Sequence, residues 1–124
     1  MIIRKSFKLT FNNAELWSGD FDGFDECYDL FQKKFLEDID VIKRPSSPSL
    51  ILLNLYGTTV TYELGSFIID NLISVQANLQ KVAFSGLNSK SKKNVKKYFK
   101  NVNSDLQFSY SYFDDLQKAK EWLA

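Results

Sequence analysis

The chain predicts an α/β fold, with a mixed but mainly parallel central sheet covered by helices, and three observations carry that prediction. Leu50-Ile51-Leu52-Leu53-Asn54-Leu55 is a short apolar run without alternation, as in a strand buried on both faces. Segments with the 3.6-residue period of helices alternate with short strand-like runs along most of the chain. Ahead of them, two extended stretches flank an Asn12-Asn13 pair, which is the chemistry of a hairpin turn. The expected order is β-β-α-β-α-β-α-β-α, an N-terminal hairpin and then crossovers between parallel strands.

Ser6-Phe7-Lys8-Leu9-Thr10-Phe11 alternates apolar and polar residues, and Glu15-Leu16-Trp17-Ser18-Gly19-Asp20-Phe21 resumes extended character, so the hairpin is read as half exposed. Phe24, Tyr28, Phe31, Phe35 and Ile39 then recur at helical spacing, with Asp25, Glu26, Asp29, Lys33 and Glu37 largely outside that stripe. Lys43-Arg44-Pro45-Ser46-Ser47-Pro48 holds both prolines and reads as a loop into the buried strand. After Gly65, the positions Phe67, Ile68, Leu72, Val75 and Leu79, widened by Ile69 and Ile73, describe a heavily buried second helix. Lys81-Val82-Ala83-Phe84-Ser85-Gly86 is another short apolar strand, and Ser89 is the expected cap of a third helix striped by Val95, Tyr98, Phe99 and Val102. Leu106 to Tyr112 alternates strictly, as an edge or half-solvated strand does. Asp114, three residues before Gln117, resembles a capping box for a last helix that buries Leu116, Ala119 and Leu123.

Length and composition place these elements in a single domain over residues 1–124. Forty-four per cent apolar and 15% aromatic residues supply a core that needs neither metal nor disulfide. No stretch approaches the ~20 apolar residues of a membrane span, and no signal-peptide core follows Met1-Ile2-Ile3-Arg4-Lys5. With Cys27 as the one cysteine, a reducing, cytoplasmic location is expected.

The formal charge is +1, yet the charges are sorted: Asp20 to Asp40 carries eight acids and two lysines, whereas Asn88 to Asn103 carries six lysines and no acid. Asp20, Asp22, Asp25 and Glu26 crowd the start of the first helix; Asp20 and Asp22 have the opening spacing of a calcium loop, but the twelfth position is Phe31, so the four are read as charges favouring a helix N-terminus. The lysine helix, with Lys90, Lys93 and Lys97 as a basic docking patch, is read as a solvated face or one that docks to an acidic protein. Nucleic acid is not expected there, because arginine is missing from the run and the chain is near neutral. Phe108, Tyr110, Tyr112 and Phe113 are read as core or edge packing in preference to base-stacking groups.

Chemistry is disfavoured by type. There is no histidine to act as a general base near neutral pH, and acids around Cys27 oppose a thiolate. The glycines fit neither dinucleotide nor P-loop spacing, and no metal or cofactor is expected.

Phe113-Asp114-Asp115-Leu116-Gln117-Lys118-Ala119-Lys120-Glu121-Trp122-Leu123-Ala124 resembles the closing pattern of the SpoIIAA-like branch of the STAS superfamily, the sulfate-transporter and anti-sigma-factor-antagonist domains. Leu53-Asn54-Leu55-Tyr56-Gly57, with Gly65 eight residues on, is similar to that family's central strand and second-helix start. The resemblance implies a STAS fold and partner binding at the loop-helix edge after the central strand. Regulatory members carry an Asp-Ser-Ser-Gly run with a phosphorylated serine at that junction, where this chain has Tyr62-Glu63-Leu64-Gly65, so phosphoswitching does not carry over. Glu63 can be read as a fixed charge in the phosphate's place or as an ordinary acid at a helix N-terminus, and the second account is preferred.

The expectation is therefore a non-enzymatic, regulatory or other protein-interaction domain. Its contact surface would comprise Tyr56, Gly57, Thr58, Thr59, Thr61, Glu63 and Ser66, and its partner would be another protein or a second copy. The alternative is a carrier for a small apolar ligand or lipid held in the Phe-rich core.

Overall fold

In a computed structural model that describes residues 4–44, 48–102 and 105–124, five strands form one sheet. They are β1 (Phe7–Phe11), β2 (Ala14–Asp20), β3 (Ser49–Asn54), β4 (Leu79–Ser85) and β5 (Ser109–Phe113), and their spatial order is their chain order. β1 and β2 are antiparallel and every later neighbour is parallel. Helices α1 (Tyr28–Ile42), α2 (Tyr62–Ser74), α3 (Ser89–Asn101) and α4 (Leu116–Leu123) follow β2, β3, β4 and β5 in turn. This is the expected α/β order and mixed, mainly parallel sheet.

The hairpin closes through Asn12 and Asn13 at φ 49° and 66°, a two-residue turn whose left-handed centre matches the twist of the strands. Alternation then sorts the sheet into two faces. In register, Trp17, Ile51, Val82 and Tyr110 share one face with Gly19, Leu53, Phe84 and Tyr112. There α1, α2 and α3 pack on a single core that includes Phe21, Phe31, Phe35, Ile68, Leu72 and Val95. On the other face Ala119 and Leu123 of α4 meet Leu16, Leu52 and Ala83. β3 is the middle strand of the five and is covered on both sides, which is why its sequence does not alternate.

Several boundaries differ from the sequence expectation. α1 starts at Tyr28, and Phe24 sits fully buried in the loop before it. Cys27 occupies the N-cap position without a side-chain bond to the helix, Asp22 pairs with Arg4, and Asp25 lies in the left-handed region at φ 52°. None of Asp20, Asp22, Asp25 and Glu26 therefore supplies a side-chain cap to α1. α2 starts at Tyr62, before Gly65, because the Thr61 hydroxyl accepts from the Leu64 N–H at 3.1 Å. It ends at Ser74, so Leu79 opens β4 and does not close the helix. Asn88, not Ser89, caps α3 by accepting from the Ser91 N–H at 2.8 Å, and Asp115, not Asp114, caps α4 by accepting from the Gln117 N–H at 2.7 Å. β5 begins at Ser109, leaving Phe108 buried ahead of it. Of the proline-bearing loop, residues 45–47 lie outside the described residues. Among the described residues no helix is long and apolar enough to cross a membrane.

Gly65 stands inside α2 against α3. A methyl there would lie 3.7 Å from Val60 Cγ1 and Val95 Cγ2, an ordinary contact. Gly65→Ala is therefore expected to stabilise the protein by about 0.5–1 kcal/mol, through lower unfolded-state entropy and better helix propensity. Urea unfolding should show a higher midpoint at unchanged slope; a lower midpoint would mean that the α2–α3 approach requires a bare backbone.

Candidate functional site

The loops leaving β2 and β3 run side by side at the carboxyl ends of those strands, where parallel sheets present their working residues. Backbone bonds stitch them together: Phe21 N–H to the Asn54 carbonyl at 2.9 Å, Gly23 N–H to Tyr56 at 2.6 Å, Asp25 N–H to Gly57 at 2.9 Å, and Thr59 N–H to Asp25 at 3.0 Å. The Thr58 hydroxyl completes the seam, donating to the Phe21 carbonyl at 2.5 Å and accepting from the Phe24 N–H at 3.1 Å. Gly57, at φ 69°, lies against the Gly23 backbone, and a side chain at either turn would strain it.

Of the residues expected at this surface, Tyr56, Gly57 and Glu63 are exposed and Thr59 is partly so. The Tyr56 ring lies across Gly86, leaving no room there for a Cβ. Thr58 is a correction: at 4% exposure, with both hydroxyl bonds internal, it is a latch between loops and not a contact residue. Thr61 caps α2, and the Ser66 hydroxyl donates to the Glu63 carbonyl at 2.7 Å, so these two hydroxyls also serve local structure.

The structure adds what sequence reading kept apart. The Tyr28 hydroxyl is held above its ordinary value by burial and then by the charges of Glu26, Asp25 and Glu63. Asp25 and Glu26 after β2 and Glu63 opening α2 thus act on one side chain, and all three are exposed. Adjacency of β2 and β3 is what joins them, and strand order is not written in any local pattern. Among the described residues no group of acids or cysteine is arranged to hold a metal ion.

Beyond α2 lies the basic patch. α3 buries Ser91, Val95 and Phe99 and leaves Lys90, Lys93, Lys96, Lys97 and Lys100 exposed. Lys97 Nζ stands 5.4 Å from the Tyr62 ring and Lys96 Nζ 5.4 Å from the Tyr112 ring, so aromatic faces help to fix two of the ammonium groups. The helix is anchored by Val60, whose N–H donates to the Ser91 hydroxyl at 2.9 Å and whose carbonyl accepts from the Asn94 amide at 2.9 Å. Tyr110 stacks on Phe99 at 3.9 Å, and burial raises the Tyr112 hydroxyl, so the β5 aromatics belong to the packing between α3 and the sheet.

A third cluster escaped sequence reading. A cleft of about 490 Å³ between the segment before β1, Trp17 and the outer side of α1 has Lys34 and Asp38 at its base. Lys34 Nζ donates to the Ser6 hydroxyl at 2.9 Å and the Asp20 carbonyl at 2.8 Å, lies 3.9 Å from Asp38 Oδ2, and sits 3.9 Å over the Phe21 ring. Ser6 donates in turn to Asp38. Burial lowers the Lys34 ammonium and raises the Asp38 carboxyl, in each case against the pull of the partner's charge. The Trp17 indole N–H, which lacks a well-formed bond, faces Asp38 and favours its ionised form. Lys34 therefore has its donors engaged within the protein, and the cluster fastens α1 to the hairpin.

No known protein family, curated protein or solved structure matches the chain in comparisons of its sequence and fold.

Proposed function

We propose that the chain is a non-enzymatic, STAS-like interaction domain that offers the joined loops of β2 and β3 to a protein partner, in a regulatory capacity. The carrying observation is the hydrogen-bonded seam between the two loops, on which Tyr56 and Gly57 are exposed, with the exposed acids Asp25 and Glu26 on the first loop and Glu63 at the start of α2. Such a face suits a basic surface with a pocket for one aromatic ring, since exposed tyrosines are frequent anchors of protein contacts. The resemblance to STAS domains supports the reading through the element order. The shifted titratable groups in the cleft favour a structural role, because Lys34 and Asp38 are engaged by Ser6, the Asp20 carbonyl and each other. The carrier reading has less support: Phe21, Phe24, Phe31 and Phe35 meet at ring separations of 4.9 to 6.2 Å, so these aromatics fill their own centre.

Cross-linking capture in cells tests the proposal, comparing the wild type with Tyr56→Ala/Glu63→Lys. Partners taken by the wild type should be lost from the double variant, and purified partners should bind it about 10- to 30-fold more weakly. An unchanged partner set from a folded double variant would reject the assignment of this face.

A further inference from the structure

We infer that the helical layer is the contact surface of a two-fold homodimer in which the α3 lysine face of each copy lies against the acidic start of α1 in the other. The contact shares Asp25 and Glu26 with the proposed loop surface but uses neither Tyr56 nor Glu63, so variants at Tyr56 separate the failure of one reading from the failure of the other.

Placement is the first support. α1, α2 and α3 share one core on one face of the sheet, with α2 between the other two in contact with both. Asp25, Glu26 and Asp29 lie at the α1 side, and the exposed lysines of α3 lie at the opposite side. A layer that is acidic on one flank and basic on the other is self-complementary under a two-fold rotation: the operation that lays α3 of one copy over α1 of its neighbour makes the reciprocal contact as well.

The second support is that, among the described residues, the charges of both flanks stand outside the ion pairs. The ion pairs among the described residues are Arg4–Asp22, Lys34–Asp38, Lys43–Asp40 and Arg44–Asp40, all in the first 44 residues. Asp25, Glu26, Asp29 and the lysines of α3 take part in none of them. The outer side of α1 also carries Leu36 at 49% exposure, an apolar group that a neighbour would cover.

A polyanion fits less well. The molecule is near neutral, and the acidic flank would repel a nucleic acid or anionic surface long enough to cross the layer. A second copy offers the complementary acids on the opposite side of α2, whatever the cell contains.

Charge exchange tests this directly, by sedimentation velocity of the full chain at about 50 mM and about 500 mM NaCl, below and above physiological screening. The wild type should sediment as a dimer at low salt and move toward monomer at high salt. Lys93→Glu/Lys97→Glu and Glu26→Lys/Asp29→Lys should each be monomeric alone, with circular dichroism confirming that both are folded. Mixed in equal amounts they should form a 1:1 heterodimer, one contact being of wild-type polarity and the other reversed. Tyr56→Ala should dimerise like the wild type. A monomeric wild type at low salt, a dimer formed by either charge variant alone, or a mixture that stays monomeric would each overturn the inference. So would salt-sensitive binding of a single-stranded oligonucleotide by a monomeric wild type that Lys93→Glu/Lys97→Glu abolishes, since that would assign α3 to a polyanion.

Discussion

Lys34→Met is expected to destabilise the protein by about 3 kcal/mol at pH 7, because it strands a buried carboxylate. Asp38 is 9% exposed, and the variant leaves it only the Ser6 hydroxyl and the Trp17 N–H in place of an ammonium. Asp38→Leu should lower stability less, by about 2 kcal/mol, since Lys34 keeps the Ser6 hydroxyl, the Asp20 carbonyl and the Phe21 ring. In Lys34→Met/Asp38→Leu both desolvation penalties vanish together, so the double variant should recover to within about 1 kcal/mol of the wild type.

The pH dependence has a definite sign. Asp38 has a folded-state value above 3.8, so its stabilising contribution is complete below 3.8 and is lost as pH rises through the raised value. Lys34 has a folded-state value below 10.5, so its contribution is complete above 10.5 and is lost as pH falls through the lowered value. Relative to the double variant, the wild type should therefore be least stable near neutrality and gain toward both extremes. The deficit of Lys34→Met should shrink on acidification, as the stranded carboxyl takes up a proton. Urea midpoints at pH 4, 7 and 10 for the four proteins decide the matter; additive single effects would mean that the two charges do not interact.

That pair was illegible in the sequence for a physical reason. A lysine and an aspartate four apart on a charged helix read as a solvated pair, and only the arrival of Ser6 and the end of β2 makes them buried. Phe24 illustrates the converse error. It continues the helical spacing of Tyr28, Phe31 and Phe35, yet Gly23 and Asp25 beside it take positive φ, and periodicity carries no information about that. The caps of α3 and α4 shifted by one residue because Asn88 and Ser89, like Asp114 and Asp115, are neighbouring acceptors of similar strength, chosen between by the direction in which the chain enters the helix. By contrast β3 was plain, since a strand covered on both faces leaves an unbroken apolar run, and the hairpin was plain because two asparagines tolerate the turn that joins β1 to β2. The loop after β3 was found from topology, but its acidic partner Asp25 was not, because their meeting depends on which strands are neighbours.

Thr58 is where that meeting is enforced, and Thr58→Val is expected to destabilise the protein by about 2–4 kcal/mol. Valine preserves the shape and the methyl packing, so the loss isolates the hydroxyl: the Phe24 N–H loses its acceptor and the Phe21 carbonyl loses a donor, both in the buried seam between the two loops. Thr58→Ser keeps the hydroxyl and should fall within about 1 kcal/mol of the wild type, the deficit of a single buried methyl. The backbone bonds that Asp25 makes with Gly57 and Thr59 flank this latch. Loosening it should speed amide exchange at Phe24 and Asp25 beyond what the global loss of stability accounts for. It should also separate Asp25 and Glu26 from Glu63 and weaken partner capture while Tyr56 and Glu63 themselves are intact. A valine variant as stable as the wild type, with unchanged exchange at Phe24, would show that the backbone seam alone holds the loops, and the acidic face would then need no latch.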